Sequence, residues 1–136
     1  MVKLIIGGTG SGKTKELIDQ VNAAVKEEKG SVVCISRGSK LTFDISHDAR
    51  LIDASDYAVQ DYNSLLGFVC GIHAGNYDIT RVFIDGLYKI AGTKDIAATE
   101  AFLNGLDQFS QQHSVNFTVS LSEDASKASE GMKRFL

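Results

Sequence analysis

The sequence predicts an α/β fold: one parallel sheet with helices on both faces. Three observations carry that prediction. Apolar, β-branched runs alternate along the chain with segments of helical periodicity. The first run opens into the glycine pattern G-x-x-x-x-G-K-[ST] over Gly7–Thr14. A later run ends in an aspartate, Asp85, at the end of a strand where parallel sheets place their ligands.

The elements follow in order. Lys3-Leu4-Ile5-Ile6 is a short apolar strand leading into the glycine loop. Lys13 to Lys29 carries Leu17, Ile18, Val21, Ala24 and Val25 on one helical face, and Gly30 is a fitting stop. Ser31–Ser36 is continuously apolar, as expected of a parallel strand covered on both sides. Leu41–Ser46 alternates strictly between apolar and polar residues, the period of a strand with one wet face. With a turn at His47-Asp48-Ala49 and a partner over Arg50–Ala54, it predicts an antiparallel hairpin appended to the core. Tyr62, Leu65, Leu66, Val69 and His73 mark a second helix, stopped at Gly75-Asn76 before the strand Arg81–Asp85. A third helix spans Lys94 to Gln112, with Phe102, Leu103, Leu106 and Phe109 as its inner stripe and Gly105 as a weak point. Val115–Ser122 is the last strand. The polar segment from Glu123 onward reads as a short surface helix or partly disordered tail. The expectation is therefore about four parallel strands plus a hairpin, with a nucleotide-binding domain over residues 1–122 and a tail over 123–136.

Composition narrows the function. A chain of 136 residues is long enough for one real core. Fourteen basic against seventeen acidic residues leave a net charge of −3, with no run of like charge, so autonomous nucleic-acid binding is not indicated. Cys34 and Cys70 are isolated and read as buried reduced thiols, and no apolar run is long enough for a signal peptide or a membrane span. A cytoplasmic protein is expected.

The glycine loop carries the chemistry. Phosphate oxygens approach bare backbone N–H groups, which glycines allow without a Cβ in the way, and the following helix aims its partial positive N-terminus at the phosphate. Gly8, Thr9, Gly10, Ser11, Gly12, Lys13 and Thr14 are thus the expected phosphate cradle for ATP. Lys13 supplies a mobile charge, while Thr14 and Asp85 are the expected Mg²⁺ ligands. Lys13 and Asp85 are the residues on which catalysis would rest.

Together, Gly7–Thr14 and Val82-Phe83-Ile84-Asp85 resemble the Walker A and Walker B motifs of the P-loop nucleoside triphosphatases. A core ending one strand after Asp85 resembles the RecA-like or thymidine-kinase-like branch. That resemblance implies that the last strand lies between the two motif strands, with Ser120 or Ser122 in a polar sensor position. The chain also resembles small bacterial proteins labelled as related to the twitching-motility ATPase. It implies nucleotide binding and no motor, because the retraction ATPases carry an extra N-terminal domain and further acidic and histidine boxes for which this chain has no room.

One departure stands out. Hydrolytic members of the RecA-like branch follow the aspartate with a glutamate that polarises water, whereas this chain reads Asp85-Gly86-Leu87-Tyr88. Asp44, Asp53 and Asp56 are the substitute candidates. Arg37, Lys40, Arg50 and Arg81 are candidate fingers for a neighbouring subunit, and His73 reads as structural. Three readings stay open: a weak ATPase completed by a homo-oligomer, a nucleotide-dependent module acting on an unknown protein, and a thymidine-kinase-like phosphotransferase.

Overall fold

The computed structural model describes all of residues 1–136 and places five strands in one sheet, every neighbouring pair parallel, in the order β1-β5-β4-β2-β3. The strands are β1 (Val2–Gly7), β2 (Ser31–Ser36), β3 (Ala49–Asp53), β4 (Ile79–Ile84) and β5 (Asn116–Ser122). The helices are α1 (Lys13–Glu27), α2 (Tyr62–Gly75), α3 (Leu87–Ala91), α4 (Ile96–His113) and α5 (Glu130–Lys133), with 3₁₀ turns at Ala54–Tyr57 and Ala125–Lys127. No helix is long and apolar enough to cross a membrane.

The expected hairpin does not form. Leu41–Ser46 is a helical turn in which the Asp44 and Ile45 N–H groups both donate to the Leu41 carbonyl, at 3.0 and 3.1 Å. Leu41 and Ile45, four apart, thus fall on one side and bury against α1, while Phe43 points outward and is 98% exposed. A strand would have put all three on the same face. The Asn22 side chain on α1 holds the turn in place, donating to the Asp44 carbonyl (2.9 Å) and accepting the Ser46 N–H (2.8 Å). The connection over residues 37–48 is long enough for a parallel crossover, which needs about a dozen residues, so β3 joins β2 in parallel, with Val32 beside Ala49 and Ser36 beside Asp53.

Alternation along the strands sorts the core into two layers. Val32, Cys34 and Phe83 face α1 and meet Leu17, Val21 and Ala24. Val33, Ile35, Val82, Ile84, Phe117, Val119 and Leu121 face α2, α3 and α4. Each large aliphatic side chain so buried contributes about 1.5–3 kcal/mol. Helices therefore cover both faces, as their apolar stripes require.

Caps define the helix starts. Asp61 and Ser64 form a reciprocal capping box on α2, and Asp95 accepts the Ala98 N–H at the start of α4. At Gly105 the two helices pack closely, since a Cβ there would stand 3.4 Å from Leu66 Cδ2 on α2. The segment after residue 122 belongs to the core: Ala128, Met132 and Phe135 are buried in the larger cluster. The Phe135 carbonyl also accepts the Leu4 N–H at 2.7 Å, giving edge strand β1 a partner.

Candidate functional site

The loop between β1 and α1 is built on backbone that only glycine adopts cheaply. Gly10 (φ 82°) and Gly12 (φ 84°) lie in the left-handed region, and Gly12 caps α1 without any side-chain hydrogen bond. The Ser11 N–H donates to the Gly8 carbonyl (3.1 Å), and α1 begins with the Glu16 N–H on the Gly12 carbonyl (3.0 Å). Gly8, Thr9, Gly10, Ser11 and Gly12 form an exposed rim. Lys13 beneath them is 9% exposed, its Nζ donating to the Gly8 carbonyl at 3.1 Å. Lys13 is thus a nearly buried ammonium bonded to a single neutral carbonyl of its own loop.

The register of the sheet brings the second set of residues to this loop. β5 lies between β1 and β4, so Ser120 and Ser122 stand between the loop and Asp85. The Asp85 N–H donates to the Ile35 carbonyl (2.8 Å), extending the β2–β4 pairing by one residue. Its carboxylate accepts the Ser120 hydroxyl at 2.9 Å, and Ser120 in turn accepts the Gly86 N–H at 2.8 Å. Ser120 is 1% exposed, so both bonds are sheltered from water. Cys34 reports the same charge from below. Burial first, and the Asp85 carboxylate second, push its thiol up to about 12.

Lys13, Thr14 and Asp85 line one cleft of about 200 Å³, together with Ser120, Ser122 and buried Ser36. The sequence anticipated all but Ser36. Arg37, Lys40 and Lys89 also enter this cleft. Lys89 carries no motif signal, because it arrives on α3, a five-residue helix with no periodicity of its own to read. At the root of the loop, the Glu123 N–H donates to the Gly7 carbonyl (3.0 Å). The Glu123 carboxylate accepts the Tyr88 hydroxyl at 3.3 Å, and burial together with that carboxylate raises the phenol to about 12.

The substitute acids are elsewhere. Asp53 accepts the Gly38 N–H and both the N–H and hydroxyl of Ser55, and these bonds, the Ser55 hydroxyl foremost, hold its carboxyl below the usual range. Asp44 is exposed on the helical turn, and Asp56 lines a separate groove beside β3. Arg50 shares that groove, while Arg81 donates to Thr118 Oγ1 (2.8 Å) and stands 4.8 Å from the centre of the Phe83 ring. His73 packs edge-on against Phe109 and tilted against His113 where β4 and β5 begin, away from the cleft. Cys34 is buried and Cys70 exposed, which corrects the expectation that both thiols are internal.

The chain matches no protein-family model, and no curated protein is detectably similar to it in sequence.

Proposed function

We propose that this is a P-loop protein of the RecA-like or thymidine-kinase-like branch that binds Mg-ATP and hydrolyses it slowly at most. The observation that carries the reading is the convergence of Lys13, Thr14 and Asp85 on one cleft, with β5 and its Ser120 interposed between the loop and the Asp85 strand. The donor set fits the metal, since the Thr14 hydroxyl and the Asp85 carboxylate are hard oxygen donors of the kind Mg²⁺ takes alongside water and phosphate oxygens. Thr14 and Asp85 would hold the ion, which would supply charge neutralisation to the bound phosphates.

The chain's own residues do the rest. Backbone N–H groups from Gly8 to Thr14 donate to the phosphates, backed by the N-terminus of α1. Lys13 exchanges its bond to the neutral Gly8 carbonyl for one to an anionic phosphate oxygen, which adds the attraction between opposite charges. Ser120 holds the Asp85 carboxylate in one orientation. Gly86 follows Asp85 where hydrolytic relatives of the branch keep a glutamate, and none of Asp44, Asp53 and Asp56 lines the cleft. Water is left without a base, which argues for binding with little turnover.

Thermal denaturation with ATP, GTP, ADP and thymidine, each with and without Mg²⁺, tests this on the native chain and on Lys13→Ala. A nucleotide at a hundred times its dissociation constant adds about 2.7 kcal/mol. The midpoint should rise by about 5–15 °C. The rise should need Mg²⁺ and vanish in Lys13→Ala. No rise with any nucleotide would overturn the proposal.

A further inference from the structure

The cleft holds three cations that a phosphate loop with its magnesium ligands does not require. Arg37 follows β2, Lys40 lies in the β2–β3 connection, and Lys89 sits on α3. Arg37 and Lys40 enter from beyond β4 in the sheet order, on the side of Asp85 away from the glycine loop. With Lys13 they bring four positive charges to a cleft whose only carboxylate is Asp85. The chain as a whole carries −3, so this excess is local. All of the chain's side-chain ion pairs lie elsewhere: Lys15–Asp19, Lys127–Glu123, Lys133–Glu130 and Arg134–Asp107.

Arg37 is also positioned. One N–H of its guanidinium donates to the Lys89 carbonyl at 3.1 Å, which ties the β2 end to α3 and takes one of the group's five donors. The bond orients the planar fork, and the fork geometry suits the oxygens of a phosphate in a way that a lone ammonium does not. Buried Ser36 stands directly before Arg37 on the same wall.

We infer that Arg37, Lys40 and Lys89 form a second anion subsite beside the nucleotide, which takes the phosphate group of a small molecule. A terminal phosphate brings about −1.5 to −2 of charge near neutrality, which offsets most of the three positive charges left over once Lys13 and Asp85 are engaged. An uncharged nucleoside would leave all three unpaired. The second ligand is therefore a phosphorylated compound. The inference rests on the nucleotide reading for what occupies the Lys13 side, and its test separates the two.

Inorganic phosphate is titrated calorimetrically into the chain saturated with Mg²⁺ and a non-hydrolysable ATP analogue, so that the γ-phosphate position is filled. Phosphate should bind saturably to the loaded native chain and more weakly as salt rises. Arg37→Ala/Lys89→Ala should weaken it at least about tenfold, while the analogue's own affinity changes by less than about threefold. No binding to the loaded chain, or equal binding to the double variant, overturns the subsite. Joint loss of phosphate and analogue in that variant overturns it too, returning both side chains to the nucleotide's own phosphates. Should the native chain take no analogue at all, the nucleotide reading fails by itself. The same titration of the free chain then decides the subsite: Lys13→Ala must retain phosphate binding and the double variant must lose it.

Discussion

Ser120→Ala probes the link between the sheet and the Asp85 carboxylate more sharply than any change to the glycine loop. The hydroxyl is 1% exposed, donates to the Asp85 carboxylate at 2.9 Å and accepts the Gly86 N–H at 2.8 Å. A hydrogen bond to a charged group is worth about 1.5–3 kcal/mol, and one between neutral groups about 0.5–1.5 kcal/mol. Asp85 and Gly86 are only half-buried, so water replaces part of both, and a net loss of about 2–3 kcal/mol is expected. For a domain of this size that lowers the melting temperature by roughly 6–15 °C. Circular dichroism melts give the stability, and the same melts with Mg-ATP give the ligand response. Asp85→Asn is the companion variant. It keeps an oxygen for the Ser120 hydroxyl and removes the charge, so it should cost under about 1 kcal/mol and abolish the magnesium effect. A loss below about 0.5 kcal/mol for Ser120→Ala, with an unchanged magnesium response, would refute the argument that Ser120 orients the carboxylate.

Two further outcomes follow from burial. Met132 is fully buried although it lies in the polar C-terminal segment, so Met132→Ala should cost about 2–5 kcal/mol by leaving a cavity. A loss under about 1 kcal/mol in a urea titration would mean that the segment does not hold to the core. Cys34 is 0% exposed, with its thiol raised to about 12, whereas Cys70 is exposed. A thiol reagent at pH 8 should therefore label Cys70 alone in the folded chain and both cysteines in denaturant. Prompt labelling of Cys34 in the native protein would contradict its placement under α1.

Most of the sheet was legible because its strands are buried on both faces. Val32–Ile35 and Val82–Ile84 are apolar without interruption, as a parallel strand covered on both faces requires. The α1 stripe and the inner stripe of α4 were legible for the related reason that a single helical face meets a single sheet face. Leu41–Ser46 was misread because Leu41 and Ile45 satisfy the strand period and the helical i, i+4 spacing equally well. Phe43 decides between them by pointing outward, in a turn whose last residues, Asp44 and Ser46, are bonded by the side chain of Asn22, nineteen residues before Leu41 in sequence. The C-terminal segment reads as surface because its five apolar residues, scattered among polar ones, leave no period to read. Ala128, Met132 and Phe135 are nevertheless buried in the larger cluster, and the Phe135 carbonyl accepts the Leu4 N–H on the edge of β1.

The candidate site divides the same way. By itself the sequence singled out the glycine loop with Lys13 and Thr14 as candidates, because holding a phosphate would demand those residue types at short, contiguous spacing, and Asp85 because it ends an apolar strand. Tertiary structure alone decided that Ser120 bonds Asp85, that Lys89 shares a cleft with Arg37 and Lys40, and that β3 joins the sheet in parallel. Those facts depend on which strand ends lie side by side in the order β1-β5-β4-β2-β3. Local periodicity records which face of an element is buried, and it carries no information about which neighbour buries it.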